Sequence, residues 1–206
     1  MGGVLRGGAV VMCAYALGCL STGYYVTRLW AGRDVREAGS GSAGARNVGR
    51  LLGWKGFVLT FLGDAAKGAL AVCLALAAGV GPWPRAAVLP AVVAGHVWPA
   101  PLRFRGGKGM STALGAVLVF DWRVAVGGLA AAALVWVLTR RTVVAGVAGI
   151  ALLPVAGWGI GSGAPSILGL AGLAGLVLHA HTPNLRAECG RMTAAARRRA
   201  GASEGG

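Results

Sequence analysis

A polytopic α-helical membrane protein with about seven transmembrane helices is the fold class that this sequence predicts. Three observations predict it. The 206 residues are 56% hydrophobic and 13% charged, the charges gather between long uncharged runs instead of recurring every helical turn, and the uncharged runs are close to span length. No Pro/Ser-rich linker or shift of composition divides the chain. A single membrane-embedded domain over 1–186 is therefore expected, followed by a basic, mobile cytoplasmic tail over 187–206 that meets anionic lipid.

The first apolar window, 7–29, follows Arg6. Its span length and the polar loop behind it set aside a cleaved leader, including the lipoprotein-like box Ala16-Leu17-Gly18-Cys19. The second window, 56–80, carries Asp64 and Lys67 on one face at i, i+3, and the third, 86–102, carries His96; ionisable groups at such depth pair or line a polar cavity. The windows 110–121 and 123–138 are short and meet at Asp121-Trp122-Arg123, so one long helix through 110–138 is the alternative. Charge decides between the two. If the chain turns at Asp121, Lys108 and Arg140-Arg141 share a face with the 31–55 loop and the basic tail, leaving Arg6, Arg85 and Arg123 opposite. The positive-inside rule then places the N-terminus out and the C-terminus in. Windows 143–160 and 165–181 complete the seven.

The formal net charge of +14 would suggest nucleic acid in a soluble domain. Beside membrane spans, the same residues set topology and meet lipid headgroups, so no nucleic-acid partner is expected. Cys13, Cys19, Cys73 and Cys189 lack paired spacing, which supports neither a disulfide framework nor a zinc site. No internal repeat is evident, and the Ala/Gly richness of the windows suits close helix packing.

Three clusters carry the chemistry. The first is Gly39-Ser40-Gly41-Ser42-Ala43-Gly44-Ala45-Arg46-Asn47-Val48-Gly49-Arg50, where glycines can turn backbone N–H groups toward a ligand and arginines add forked donors: an anion cradle. Gly39-x-Gly41-x-x-Gly44 matches the dinucleotide fingerprint, yet it lies between membrane spans and lacks the βαβ context. The second cluster runs from Gly95-His96-Val97-Trp98-Pro99 into Arg103-Phe104-Arg105-Gly106-Gly107-Lys108-Gly109-Met110-Ser111-Thr112. It is no Walker A loop, because Gly109 follows the lysine; it is a glycine turn at a helix start, where free N–H groups and the helix dipole favour an anion beside the ammonium. The third is His179-Ala180-His181-Thr182-Pro183-Asn184-Leu185-Arg186. Apart from Glu188 and Cys189, no Asp, Glu or Cys partner stands nearby at metal-ligand spacing, and the cluster suits hydrogen bonding to a phosphoester or hydroxyl.

In this order and on one predicted face, the clusters resemble the bacterial acyl-phosphate-dependent glycerol-3-phosphate acyltransferases, the PlsY family of integral membrane enzymes. Cys19-Leu20-Ser21-Thr22-Gly23-Tyr24, Asp34-Val35-Arg36 and Asp64-Ala65-Ala66-Lys67-Gly68 extend the likeness over most of the chain. The resemblance implies transfer of an acyl group from acyl phosphate to the 1-hydroxyl of glycerol 3-phosphate, giving lysophosphatidate and inorganic phosphate at the cytoplasmic side of the inner membrane, without metal or cofactor. It implies that Ser40, Asn47 and Arg50 hold substrate phosphate within the Gly39–Gly41 loop, that Gly106, Gly107, Lys108 and Gly109 bind glycerol 3-phosphate, and that His181 and Asn184 complete the pocket with His96. Catalytic roles fall on His181, Ser40 and Arg50. The proton acceptor stays open among His181, His96 and an oxygen of the acyl phosphate.

The chain departs from the family pattern at Ser42, where Asn is usual, and at Arg46, where Thr is usual. It departs again at Thr142-Val143-Val144-Ala145-Gly146, in place of a serine-bearing segment, and at Cys189-Gly190-Arg191, in place of a Gly-x-Glu. Two other functions are weighed against the enzyme. A phosphate-ester or anion transporter needs polar residues continuing through the spans, where only Asp64, Lys67 and His96 are available. A catalytically weak lipid-binding relative is favoured by the departures alone.

Overall fold

The computed structural model describes residues 2–203, with side chains described for 2–190. Among the described residues it contains helices and no strand. In chain order the α-helices are α1 (Gly2–Gly18), α2 (Thr22–Ala31), α3 (Ala45–Ala77), α4 (Pro82–Val97), α5 (Met110–Phe120), α6 (Trp122–Thr139), α7 (Thr142–Ala151), α8 (Leu153–Gly159) and α9 (Ala164–Ser203). The side chains of the tail beyond Gly190 lie outside the described residues.

Every apolar window is helical, but several boundaries differ from expectation. The 7–29 window is broken at Cys19-Leu20-Ser21 into α1 and α2. The second span starts at Ala45, not at residue 56, because the glycine cluster ends in a helix N-terminus. Gly53, with φ 71° and ψ −166°, then breaks the helix within. The turn at Asp121 is present, capped by its own carboxylate, which accepts from the Arg123 N–H at 3.0 Å. The last helix outruns the 165–181 window: α9 continues through Pro183 and carries the third cluster.

By length and composition, Gly2–Ala31, Ala45–Ala77, Trp122–Thr139 and Ala164–Gly190 are each able to cross a bilayer, and α7 with α8, bent by 41°, makes a fifth if the pair is one span. Helices α4 and α5, with 16 and 11 residues, are shorter than a full crossing.

The core lies where α3, α4, α5 and α9 meet, around Val72, Val88, Leu89, Val92, Val93, Val117, Leu170, Leu173 and Val177. In lipid the drive to pack comes from close contact, not from escape from water, so small residues set the spacing. A Cβ on Gly115 would fall on the Ala65 carbonyl of α3, and one on Gly18 would lie 2.9 Å from Gly95 Cα of α4. These two approaches join α5 to α3 and α1 to α4.

One polar device sits inside this apolar packing. Lys67, from α3, donates to the carbonyls of Gly18 at 3.0 Å and Leu20 at 2.6 Å, satisfying acceptors left over where α1 stops. Its Nζ also stands 3.0 Å from Asp64 Oδ1, an ion-pair contact outside hydrogen-bond alignment, and His96 Nδ1 stands 3.6 Å from the same oxygen. Asp64, Lys67 and His96 are all buried. The buried charges thus brace the broken first span against α3.

Candidate active site

A cleft of about 370 Å³ opens where the three clusters converge. Its walls come from the 40–44 loop, the first turns of α3, the loop before α5, the start of α7 and one face of α9. Of the residues expected at the site, Ser40, Asn47, Arg50, His96, Lys108, Gly109, His181 and Asn184 line it. Gly39, Gly41, Gly106 and Gly107 stand behind it and shape its walls.

The first wall is organised around Asn47. The amide nitrogen donates to the carbonyls of Val35, Ala38 and Ser42 at 3.0, 2.9 and 3.0 Å, and the amide oxygen accepts from Ser40 N–H at 2.9 Å. Buried and fully engaged, Asn47 gathers the loop around itself, with Gly39 and Gly41 turning the backbone at φ 58° and 68°. Ser42 Oγ accepts from Gly44 N–H at 3.3 Å, ahead of the α3 N-terminus. Arg46 and Arg50 leave that helix start exposed and face the cleft.

The second wall is held by close backbone contact. Gly106 and Gly107 donate their N–H groups to the carbonyls of Val97 and His96, both at 3.1 Å, closing the end of α4. A Cβ at Gly106 would strike the His96 carbonyl, and one at Gly107 the His96 ring. His96 thus lies behind the glycine turn as well as at the cleft wall. Gly106 O accepts from Ala43 N–H at 3.2 Å, joining the two loops, and Arg36 reinforces the join. The guanidinium of Arg36 is gripped by Asp34 at 2.7–3.1 Å and donates to Leu102 O at 2.7 Å and Arg105 O at 3.3 Å. Gly109 caps α5 at φ 82°.

The third wall is α9. His181 Nδ1 lies 2.8 Å from Val177 O, a carbonyl that can only accept, so the proton is assigned to Nδ1 and the Nε2 lone pair remains. His179, two residues earlier, turns away and meets Trp98 in a tilted ring contact with centroids 5.9 Å apart, which separates the two histidine rings. One turn beyond His181, Asn184 Oδ1 accepts from Lys108 Nζ at 2.5 Å. At the mouth, Arg141 and Glu188 form a 2.8 Å bridge between the start of α7 and α9.

Charge is unbalanced inside the cleft. Its two carboxylates are already engaged, Asp64 by Lys67 and Glu188 by Arg141, while Arg46, Arg50 and Lys108 form no carboxylate ion pair among the described residues. Burial pushes the Lys108 ammonium below the ordinary lysine value, and the charges of Arg46 and Arg50 push it further. Such a site favours a multiply charged anion.

Sequence reasoning missed Phe57 and Phe61, and it gave no role to Met110 and Ser111 although both stand in the second cluster; all four also line the cleft. On a membrane helix an aromatic facing a cleft reads the same as one facing lipid. Ser111 had a signal, one residue into the helix after Gly109-Met110.

With the geometry in place, comparison with known proteins decides the family. The model of the glycerol-3-phosphate acyltransferase family matches residues 8–189. The chain belongs to this family. It is 44% identical to glycerol-3-phosphate acyltransferase 1 of Desulfitobacterium hafniense over 177 residues, covering 86% of this chain and 88% of that one. It is 40% identical to the glycerol-3-phosphate acyltransferase of Rubrobacter xylanophilus over 178 residues, covering 86% and 89%. The fold is similar to the crystal structure of PlsY (YgiH), an integral membrane glycerol 3-phosphate acyltransferase, in its glycerol 3-phosphate form, with a TM-score of 0.82 and 30% identity over 90% of this chain and 93% of that one. For the lysophosphatidic acid form the TM-score is 0.79 and the identity 28%. This glycerol-3-phosphate acyltransferase relative is thus a multi-pass membrane protein built on the family fold.

Proposed function

We propose that the protein transfers a fatty acyl group from acyl phosphate to the 1-hydroxyl of sn-glycerol 3-phosphate, releasing lysophosphatidate and inorganic phosphate. The observation that carries this reading is the cleft's composition. Three cations without carboxylate partners face Phe57, Phe61, Met110 and Val143 across one space. Both substrates bring a phosphate, and one brings an apolar tail. The proposed topology has seven crossings, with the short helices α4 and α5 embedded among longer neighbours. The basic loops and the cleft face the cytoplasm at the bacterial inner membrane.

The hydroxyl oxygen attacks the carbonyl carbon of the mixed anhydride, and the bond from that carbon to the bridging oxygen breaks, its electron pair leaving with phosphate. Phosphate is a good leaving group, so positioning and charge stabilisation supply the catalysis. Lys108, held by Asn184, binds the phosphate of glycerol 3-phosphate; Arg50 and Ser40, with Arg46, hold the acyl phosphate. Asn47 acts by shaping the loop, and His96 by backing the glycine turn. The hydroxyl proton passes to the departing phosphate, directly or through His181 Nε2.

Lys108 gives this scheme a pH signature. A bound phosphate restores the ammonium's depressed value, so binding takes up a proton between the free and bound values. The affinity for glycerol 3-phosphate therefore falls as pH rises through the value in the free enzyme, below the ordinary lysine value of about 10.4. Arg46→Thr removes one repelling charge and moves that limb to higher pH, while raising the KM for acyl phosphate a few-fold; the KM of each substrate against pH checks both. An unmoved limb contradicts the placement of Arg46.

Purified protein in lipid discs, given labelled glycerol 3-phosphate with either acyl phosphate or acyl-CoA, tests the donor. Lysophosphatidate from acyl phosphate is expected; formation from acyl-CoA alone rejects the donor assignment.

A further inference from the structure

Helix α9 turns one polar face to the cleft. His181, Asn184 and Glu188 follow one another at i, i+3 and i+7 and all line it, so a carboxylate stands one turn beyond the amide that holds Lys108. For a phosphate-binding cleft this charge has the wrong sign. Glu188 faces the same space as Arg46, Arg50 and Lys108, where a free carboxylate would repel an entering phosphate and pair with the cations that bind it.

Arg141 answers that charge from across the mouth. Its guanidinium donates to Glu188 Oε2 at 2.8 Å, with the two side chains 32% and 19% exposed. The turn between α6 and α7 decides which arginine does so. Arg140, in the left-handed region at φ 55°, lays its guanidinium 5.1 Å from the centre of the Trp136 ring on α6. Arg141 then opens α7 as its N-cap residue: its N–H donates to Thr139 Oγ1 at 3.2 Å, and its carbonyl accepts from Ala145 N–H at 3.0 Å. The second arginine of the pair, not the first, is thereby aimed at α9. An ion pair this exposed adds little to stability, so its place at the mouth points to a role in traffic through the cleft.

We propose that Arg141 is a positioning residue for phosphate entry and release: it holds Glu188 away from Lys108, Arg46 and Arg50, while Glu188 keeps Arg141 from becoming a fourth anion ligand. The mouth is then electrically neutral and the interior cationic, so a phosphate ester is drawn past the mouth and is not held there on its way out. This role rests on the reading of the cleft as a phosphate-ester site.

Two single substitutions have opposite expected effects, which a mere tie between α7 and α9 would not give. Arg141→Gln frees the carboxylate, and the affinity for glycerol 3-phosphate falls roughly three- to tenfold in low salt, with the loss narrowing as salt is raised. Glu188→Gln frees the guanidinium, and inorganic phosphate binds at least about threefold more tightly and inhibits turnover more strongly. Calorimetry on protein in lipid discs, without donor, reads both affinities. The double variant brings them back to within about twofold of wild type, and Arg141→Lys, which keeps the charge, holds them there. Single substitutions that weaken both ligands alike, with no recovery in the double variant, overturn the proposal in favour of a mechanical tie. So does an Arg141→Gln protein that binds glycerol 3-phosphate as the wild type does in low salt. Wild-type protein that binds neither glycerol 3-phosphate nor phosphate rejects the reading of the cleft, and this role with it.

Discussion

Lys108→Ala lowers kcat/KM for glycerol 3-phosphate by roughly 30- to 1,000-fold, the loss expected when one member of a desolvated charge pair worth about 2–4 kcal/mol is removed. The estimate follows from position. Lys108 is half-buried on a loop whose backbone is pinned to the end of α4 by Gly106 and Gly107, its ammonium is held by Asn184, and no carboxylate competes for it among the described residues. Steady-state kinetics on purified protein with an unchanged circular dichroism spectrum is the check. Asn184→Ala leaves the cation in place but frees its direction, so its loss is smaller and appears chiefly in KM. A Lys108→Ala protein with wild-type kinetics would show that the phosphate binds elsewhere.

Lys67→Met acts on the fold instead. It leaves Asp64 buried without its partner and strips the Gly18 and Leu20 carbonyls of their donor. Breaking a buried pair by removing one partner costs about 3–5 kcal/mol, which for a chain of this size is a fall in Tm of roughly 10 °C. Thermal unfolding in detergent measures it. Asp64→Asn combined with Lys67→Met recovers part of the loss, because the stranded charge is gone, while the orphaned carbonyls at the α1–α2 break keep the recovery incomplete. Full recovery would mean that Lys67 matters only to Asp64.

Much of the fold was legible because bilayer packing leaves strong marks. Charges cluster where helices end, so Asp121-Trp122-Arg123 located the turn between α5 and α6, and the i, i+3 spacing of Asp64 and Lys67 put both on one helix face, which left a charge pair and a polar cavity equally open. The start of α3 was hidden because Gly44, Gly49 and Gly53 read as loop residues, although Gly44 caps the helix, Gly49 lies within it and Gly53 breaks it. The continuation of α9 through Pro183 was equally hidden, since proline more often ends a helix than rides in one.

At the site, the sequence marked three clusters that converge on one cleft, but not which of their side chains hold the loops together. The spacing of Asn47 from Ser40 and Arg50 made it look like a phosphate ligand. Only the fold reveals that Val35, Ala38, Ser42 and Ser40 already surround its amide. Gly106 and Gly107 likewise looked like a backbone cradle, and they turn out to close α4 and to make room for His96. Long-range pairs such as Lys108 with Asn184 carry no spacing signal, because their separation along the chain says nothing about helix adjacency.

In the proposed reaction one cleft joins the two phosphate-bearing substrates and passes the acyl group directly between them. The most direct measurement uses acyl phosphate carrying oxygen-18 at the bridging position, with glycerol 3-phosphate and purified protein, followed by mass spectrometry of both products. The expected products are lysophosphatidate acylated at the 1-hydroxyl and inorganic phosphate in equal amounts, with the heavy oxygen in the phosphate and both products lost in Lys108→Ala. Phosphate without lysophosphatidate, or heavy oxygen retained in the lipid, would contradict it.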